Sequence, residues 1–292
     1  MNLQNSVFLF GTGRSGTTIL LRMLACHPDL AWFSNLNERY VKYPSLSGLS
    51  RLRNFEFTSG NFTGAMRYLP MPAEAIEVPR SVTNGLFQRH QPLSEDDIEA
   101  DVVANYRDYI QRVLTWHGKE RFLHKHTGFA RIALLDQLDP SGKFIQILRD
   151  GRAVVYSLMR VGWWDGTMKS WWWGEMPEAY KEEYEQSGYN SLVLAGIVWK
   201  YLVDLSATEL QLVDPSRILT ISYSDFVRSP KVKIAEICNH CNLPVTDKFD
   251  TRINRFKIRN ADEAWRTGLS REQIDTLNNS LAKHLQKFGF TI

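Results

Sequence analysis

The sequence has few cysteines and little net charge, and it lacks long apolar runs. Three cysteines occur in 292 residues, and the pattern Cys238-Asn-His240-Cys241 has no second pair of ligands, so we expect a buried helix end there and predict no metal. A formal net charge of +3 argues against a general nucleic-acid binder, so we predict no nucleic-acid partner. No apolar run is expected to span a bilayer.

The first apolar run has no basic segment before it, so it is interpreted as a strand and not as a signal peptide. We therefore expect a cytoplasmic location. Hydrophobic residues make up 43% of the chain and charged residues 23%, which indicates a globular protein. The small positive charge suits an anionic cofactor. The length would allow two domains, but one α/β domain of this size is ordinary.

Residues 7–18, VFLFGTGRSGTT, form the most informative segment. An apolar run, a glycine loop and an amphipathic stretch predict strand, loop and helix, the order that wraps backbone N–H groups around a phosphate. Gly11 and Gly16 have the spacing of a P-loop, but Thr17 stands where its lysine would be. Because Arg14 supplies the charge from inside the loop, we expect a phosphate that is not the end of a triphosphate.

A second strand-turn-helix pattern lies at residues 144–157. The uncharged run 144–148 predicts a buried parallel strand, and Asp150 is placed to cap the following helix. Arg149 then lies at the carboxyl end of the strand, where open α/β sheets bind ligands. Ser157 lies two helical turns further on, and the two side chains can hold a second phosphate.

The loop GTGRSGTT followed by His27-Pro28-Asp29 resembles the 5′-phosphosulfate loop of sulfotransferases that use 3′-phosphoadenylyl sulfate (PAPS). The resemblance is to tyrosylprotein sulfotransferases and to bacterial carbohydrate or lipid sulfotransferases. It implies that PAPS is the cofactor, with PAP as its product, and that no metal takes part. The cofactor-binding residues that it implies are Gly13, Arg14, Ser15, Gly16, Thr17 and Thr18 at the loop, Arg149 and Ser157 at the 3′-phosphate, and Tyr223 in the segment that resembles the family's RYEDLV turn.

Strands alternate with helices along the chain, which predicts an α/β fold: a single P-loop-like domain with a central parallel sheet flanked by helices. The resemblance covers nearly the whole chain, so residues 1–292 are interpreted as one sulfotransferase domain. Residues 40–120 are expected to form an acceptor-side insertion. Residues 161–190, which are rich in tryptophan, are expected to form a second acceptor-side segment.

The departing phosphate oxygen of PAPS needs a cation, and Lys125 occupies the place of the family's lysine. The acceptor hydroxyl needs a base, and here the sequence departs from its relatives. Asn35 stands at the position of the tyrosylprotein enzymes' glutamate, and Thr127 at that of the cytosolic enzymes' histidine. Three candidates remain open as the base: Glu38 and Glu74 as equals, and His126, which a strand would point to the opposite face from Lys125.

The predicted function is transfer of a sulfuryl group from PAPS to a hydroxyl of a carbohydrate, lipid or other small-molecule acceptor. Five of the nine tryptophans lie between residues 163 and 173, and their rings could stack on sugars, lie at a membrane surface or fill the core. Peripheral membrane contact and the oligomeric state stay open. The alternatives are a P-loop nucleotide kinase, which Thr17 opposes, and a non-catalytic PAP-binding module.

Overall fold

A computed structural model describes residues 3–54, 69–88 and 90–292. The strands are β1 Val7–Gly11, β2 Leu30–Trp32, β3 Arg121–Thr127, β4 Lys143–Leu148 and β5 Ile218–Ser222. The helices are α1 Thr17–Leu24, α2 Asn35–Arg39, α3 Glu77–Val82, α4 Ala100–His117, α5 Ile132–Leu138, α6 Gly151–Leu158, α7 Glu178–Gln186, α8 Ser191–Glu209, α9 Tyr223–Arg228, α10 Pro230–His240, α11 Asp247–Ile253, α12 Ala264–Gly268 and α13 Arg271–Lys287.

The five strands form one parallel sheet in the order β2-β3-β1-β4-β5. Central strand β1 is buried along its whole length, as its uninterrupted apolar sequence predicts for a strand covered on both faces. Gly11 at its end lies opposite Thr127 of β3. The carboxyl ends of β1, β3 and β4 therefore meet at one edge of the sheet. The prediction of a parallel α/β fold is confirmed.

Alternate residues of the strands enter two different cores. Phe8 and Phe10 pack with Phe122 and with helices α4 and α5 on one face. Leu9 packs with α1 and with residues of α9 and α10 on the other. Because Leu9 and Lys125 are register partners, Lys125 shares the face of the sheet that α1 covers. Lys125 therefore lies on the same side of the sheet as the glycine loop between β1 and α1, residues 12–16, which we call the phosphate loop.

Helix α8 runs through a third core with α6, α13 and the tryptophan segment. Although no membrane span was expected, the helical stretch 191–212 has the length and composition of one, with a mean hydropathy of 1.3. The structure buries 72% of that stretch inside the protein. Its sequence is apolar on all sides because it is surrounded by other elements, as in the core helix of a large domain.

Candidate active site

The loop between β1 and α1 turns tightly at two residues with left-handed backbone. Arg14 has φ 69° and Gly16 has φ 95°, a pair of conformations that brings successive N–H groups toward one point. Ser15 is fully buried and donates its N–H and its hydroxyl to the Thr12 carbonyl (3.2 and 2.6 Å), so it fixes the shape of the loop. Gly13 is exposed, and a methyl group there would meet no atom within 4 Å. The loop therefore leaves its outer side open beside Gly13.

Gly16 lies directly against an aromatic ring. A Cβ atom at this position would lie 2.6 Å from two ring carbons of Tyr223, and the positive φ already disfavours any other residue. Gly16 also immediately precedes α1, so it has no side chain with which to cap that helix. No side chain therefore caps the first turn of α1, whose N–H groups are of the kind that can bind an anion. Of the next two predicted residues, Thr17 is buried and Thr18 is exposed.

Arg149 joins the second motif to the phosphate loop. Its Nη1 donates to the Arg14 carbonyl (2.9 Å), and its guanidinium lies over the Tyr223 ring at 4.3 Å from the centroid. Arg14 in turn donates through Nε to the Ser157 hydroxyl at 3.0 Å. Burial raises the pKa of Tyr223, so the phenol stays neutral beside Arg149. The structure thus brings together four predicted cofactor residues: one from the loop, one from the turn after β4, one from α6 and one from α9.

Asp262, which sequence reasoning missed, holds Arg149 in place. Arg149 Nε donates to Asp262 Oδ1 at 3.1 Å, and its Nη2 donates to the Ala261 carbonyl at 2.7 Å. The other Asp262 oxygen accepts a hydrogen bond from Ser224. Two of the five N–H donors of Arg149 have no bond among the described contacts. Asp262 lies 113 positions from Arg149, so no local pattern in the sequence signals this contact.

Helix α8 supports the backbone beneath Arg149. Trp199 is fully buried and donates through Nε1 to the Arg149 carbonyl at 3.2 Å. Its ring also packs on Gly151, where a Cβ atom would lie 2.6 Å from the indole. Asp150 caps α6 by accepting from the Arg152 N–H at 2.8 Å, as predicted. The turn that presents Arg149 is therefore fixed from both sides.

Lys125 and Glu74 form a little-exposed ion pair at the same edge of the sheet. The Lys125 ammonium donates to Glu74 Oε2, and the two side chains are only 7% and 18% exposed. The Thr127 N–H and hydroxyl both donate to Glu74 Oε1, the hydroxyl at 2.9 Å. The structure thus brings together the predicted cation and one of the three predicted bases.

Glu74 reaches Lys125 because its segment is bonded to the chain that follows β2. Ser34 and Pro72 form an antiparallel bridge, and the Ala73 N–H donates to the Phe33 carbonyl at 2.9 Å. These contacts place residue 74 beyond the carboxyl end of β3, next to Thr127. Nothing local in the sequence signals this pairing, since 51 positions separate Glu74 from Lys125.

Glu38 has a different environment. It lies on α2, and its Oε2 accepts the Glu77 N–H at 3.0 Å, at the start of α3. Burial raises the pKa of Glu38 above its usual range. No described hydrogen bond joins it to Lys125 or to the phosphate loop. In this arrangement Glu38 supports the first turn of α3.

His126 lies on the face of β3 opposite to Lys125, as the alternation of a strand predicts. Its ring packs on Phe10, with centroids 5.9 Å apart, and its Nε2 bonds the Ala130 carbonyl at 2.6 Å. Since a carbonyl only accepts, Nε2 carries the proton and Nδ1 is an acceptor, without a partner in the described part of the chain. Burial lowers the pKa of His126 to about 4.

One cavity of about 280 Å³ connects Glu74 with the tryptophan segment. Gly13 of the phosphate loop, Glu74 and Thr127 lie in its wall, and so does His126. The apolar lining comes from both predicted acceptor-side segments and from the core: Ile76, Pro79, Phe87, Phe129, Trp163, Trp172, Trp173 and Leu202. Within residues 3–54, 69–88 and 90–292, no group of three acidic, histidine or cysteine side chains is arranged to hold a metal ion.

A parallel sheet with an anion-binding loop at its carboxyl edge defines the class of P-loop-like α/β proteins that bind phosphate groups. The chain belongs to the sulfotransferase family, whose characteristic sequence matches residues 6–247. The predicted family and the predicted sulfotransferase class are therefore confirmed.

The relatives and the solved structures are distant. Omega-hydroxy-beta-dihydromenaquinone-9 sulfotransferase Stf3 of Mycobacterium bovis is 22% identical, over 97% of this chain and 75% of its own length. Sulfotransferase STF9 from Mycobacterium avium is 14% identical with a TM-score of 0.59, covering 100% of this chain and 79% of that one. The sulfotransferase domain from the curacin biosynthetic pathway is 15% identical with a TM-score of 0.53, covering 97% and 99%. At these identities the two structures show a shared fold.

Proposed function

We propose that the protein transfers a sulfuryl group from PAPS to the hydroxyl of a small-molecule acceptor, releasing PAP and a sulfate ester. One observation carries the proposal. The ion pair between Lys125 and Glu74 lies beside the phosphate loop, and Glu74 shares a cavity with Gly13. A cation, a proton acceptor and an anion-binding loop thus meet at one edge of the sheet.

The chain's residues fit PAPS at two places. At the 5′ side, the first-turn N–H groups of α1 and Arg14 would hold the phosphosulfate. At the 3′-phosphate, Arg149 would use its two remaining N–H donors, together with the Ser157 hydroxyl. Asp262 already neutralises Arg149, so the 3′-phosphate would share that guanidinium with a carboxylate. Tyr223 would keep the guanidinium flat against its ring.

Glu74 is proposed as the general base and Lys125 as the cation for the leaving oxygen. As the acceptor oxygen bonds to sulfur, the bond from sulfur to the phosphate oxygen breaks, and the hydroxyl proton moves to a Glu74 oxygen. Taking up that proton removes the negative charge that holds Lys125. The ammonium is then available to the phosphate oxygen at the moment when that oxygen gains charge.

The other two candidate bases have weaker support. Glu38 is bonded to the start of α3 and is not joined to Lys125. His126 lines the cavity but lies on the face of β3 opposite to Lys125, and its Nε2 is bonded to the Ala130 carbonyl. Glu74 lines the same cavity and is bonded to Lys125.

The test is transfer of labelled sulfate from PAPS to an alcohol, with EDTA present and absent. Turnover should persist in EDTA, because protein cations do the neutralising. Lys125→Ala should lower kcat about 10²–10³-fold, by analogy with loss of an oxyanion donor, with little change in PAP affinity. Lys181→Ala, at a lysine of α7 that is 54% exposed, is the matched control. A protein that binds PAP tightly but transfers no sulfate would be a PAP-binding module instead.

We further propose that residues 40–120 and 161–190 form the acceptor side of one domain. Glu74 and Phe87 from the first segment and Trp163 and Trp172 from the second line the same cavity, which supports this assignment. Residues 55–68 and 89 of the first segment lie outside the described residues. A cytoplasmic location is also proposed, since a sequence with only three cysteines has little means of forming structural disulfides.

A further inference from the structure

We propose that the acceptor is an apolar alcohol whose alkyl or aryl body fills the cavity while its hydroxyl meets Glu74. The inference rests on the proposed function for its chemistry, but its binding part stands on the cavity alone. Among the acceptor classes that the sequence left open, it selects a lipid-like alcohol over a carbohydrate.

Much of the inner wall of the cavity is apolar. Phe87, Phe129 and Leu202 line it, and they are only 6%, 8% and 2% exposed. The gain in free energy on binding therefore comes mainly from the ligand, in proportion to the apolar area of its own body that leaves water. A largely apolar body is the occupant that such a wall favours.

The polar groups of the wall can serve a limited number of hydroxyls. Arg131 donates to the Gln91 carbonyl at 2.6 Å, and its guanidinium lies over the Phe129 ring, while His90 bonds the Trp172 carbonyl. His124 and His126 each have one ring nitrogen without a partner in the described part of the chain, Gln88 adds an amide, and Glu74 adds its carboxylate. A sugar with more hydroxyls than these groups can serve would bury the rest without a partner, and each such hydroxyl weakens binding by about 5- to 150-fold.

The size and the rim of the cavity describe the rest of the acceptor. At about 30 Å³ for each heavy atom, 280 Å³ holds roughly nine such atoms. Trp163 and Trp172 line the cavity and are still 48% and 45% exposed, so they stand where it opens to solvent. Their ring centroids lie 4.9 Å apart. An alkyl chain longer than the cavity would extend into solvent over these two indole rings.

The transfer step on such an acceptor needs no further reactant. The alcohol oxygen forms a bond to sulfur, the bond from sulfur to the phosphate oxygen of PAPS breaks, and the proton goes to Glu74. The products are an alkyl sulfate and PAP. No electrons are exchanged with an oxidant or a reductant.

The experiment measures binding and transfer separately. Straight-chain primary alcohols of four to eleven carbons, with erythritol and glucose as polyhydroxy counterparts, are titrated by calorimetry into the full chain saturated with PAP. The affinity of the protein for the alcohol should rise about fourfold per methylene as long as the added carbons still fit in the cavity. Beyond about eight carbons it should rise less steeply. The same compounds are then offered with labelled PAPS, and the apolar alcohols should have the higher kcat/KM.

A pair of tryptophan variants tests the exit across the rim. Trp172→Ala should weaken binding of the eleven-carbon alcohol about tenfold and leave the four-carbon alcohol unchanged. Trp116→Ala is the matched control, since Trp116 is 49% exposed on α4 and lies outside the cavity. Neither variant should change PAP affinity, which also shows that both are folded.

The outcomes separate this inference from the proposed function. Affinity that does not change with chain length, or a higher kcat/KM for glucose than for the alcohols, overturns the inference and leaves sulfotransfer intact. If the affinity for alcohols rises with their length but the protein neither binds PAP nor transfers sulfate, the apolar cavity is upheld and the proposed function is overturned. Equal effects of Trp172→Ala and Trp116→Ala would overturn the exit across the rim.

Discussion

Replacing Glu74 by glutamine keeps the shape of the side chain and removes the proton acceptor. In the structure Glu74 accepts from the Lys125 ammonium and from the N–H and hydroxyl of Thr127. An amide oxygen can still accept from Thr127, but an amide NH₂ group offers nothing to an ammonium. The loss of one charged hydrogen bond should cost about 1.5–3 kcal/mol of stability. Loss of the general base should lower kcat roughly 10²–10⁴-fold.

The assay is transfer of labelled sulfate from PAPS to an alcohol, with calorimetry for PAP affinity and thermal unfolding for stability. Glu38→Gln is the matched control, because Glu38 accepts only the Glu77 N–H among its described hydrogen bonds and an amide oxygen can do the same. Its kcat should stay within about threefold of the unsubstituted protein. If Glu74→Gln kept its kcat and Glu38→Gln lost it, the assignment of the base would be refuted. If both kept it, His126 would become the candidate.

Three further predictions concern the cofactor site and the core. Arg149→Ala should cost about 1.5–3 kcal/mol of PAP affinity by calorimetry and much less for adenosine 5′-phosphosulfate, which lacks the 3′-phosphate; equal losses would contradict the assignment. Gly16→Ala should lower the melting temperature, because its Cβ would meet the Tyr223 ring at a φ of 95°, whereas Gly13→Ala, with open space around it, should not. Burial lowers the pKa of His117 to about 3 from 6.5, so as the pH falls the unfolded protein takes up this proton before the folded protein does. His117 should therefore lower the free energy of unfolding by about 2 kcal/mol as the pH falls from 6.5 to 5. Urea titrations of His117→Gln should show a smaller fall.

The strand-turn-helix structure of the two motifs could be predicted because each is a continuous stretch with its own backbone requirements. Gly16 adopts a conformation that disfavours other residues, and the apolar run before Gly11 is long enough to indicate a buried strand. Asp150 lies two residues after the end of β4 and caps the next helix, as its short carboxylate allows. In each case the information lies within a few neighbouring residues.

The contacts that complete the site could not be predicted, because they join distant parts of the chain. Asp262 meets Arg149 across 113 positions, and neither residue changes the local pattern of the other. The sequence leaves Glu38 and Glu74 as equal candidates, since Glu38 is the acid nearest to Asn35 and Glu74 lies in a Pro-x-Glu element that resembles one of bacterial sulfotransferases. The bridge between Ser34 and Pro72 and the hydrogen bond from Ala73 to Phe33 place Glu74 against Lys125.

Strand β2 and helix α8 illustrate two other limits of predicting structure from the sequence. Leu30–Trp32 is only three residues long, too short for a recognisable alternation. Helix α8 has the opposite difficulty, since a helix that is apolar all round has no polar face to show where it packs. Its surroundings in the fold, and not its composition, make it a core helix.

The position of β1 in the middle of the sheet has a consequence for biosynthesis. Val7 pairs with Leu123 on one side and with Lys143 on the other, so β1 is made well before either neighbour. At about 5–20 residues per second, a ribosome needs on the order of ten seconds to deliver β4. During that time both edges of an apolar strand are unpaired, which makes the nascent chain a substrate for chaperones. Strand β1, which leads into the phosphate loop, is thus the first of the five strands to be translated. Its pairing on both sides is complete only after β4 has emerged.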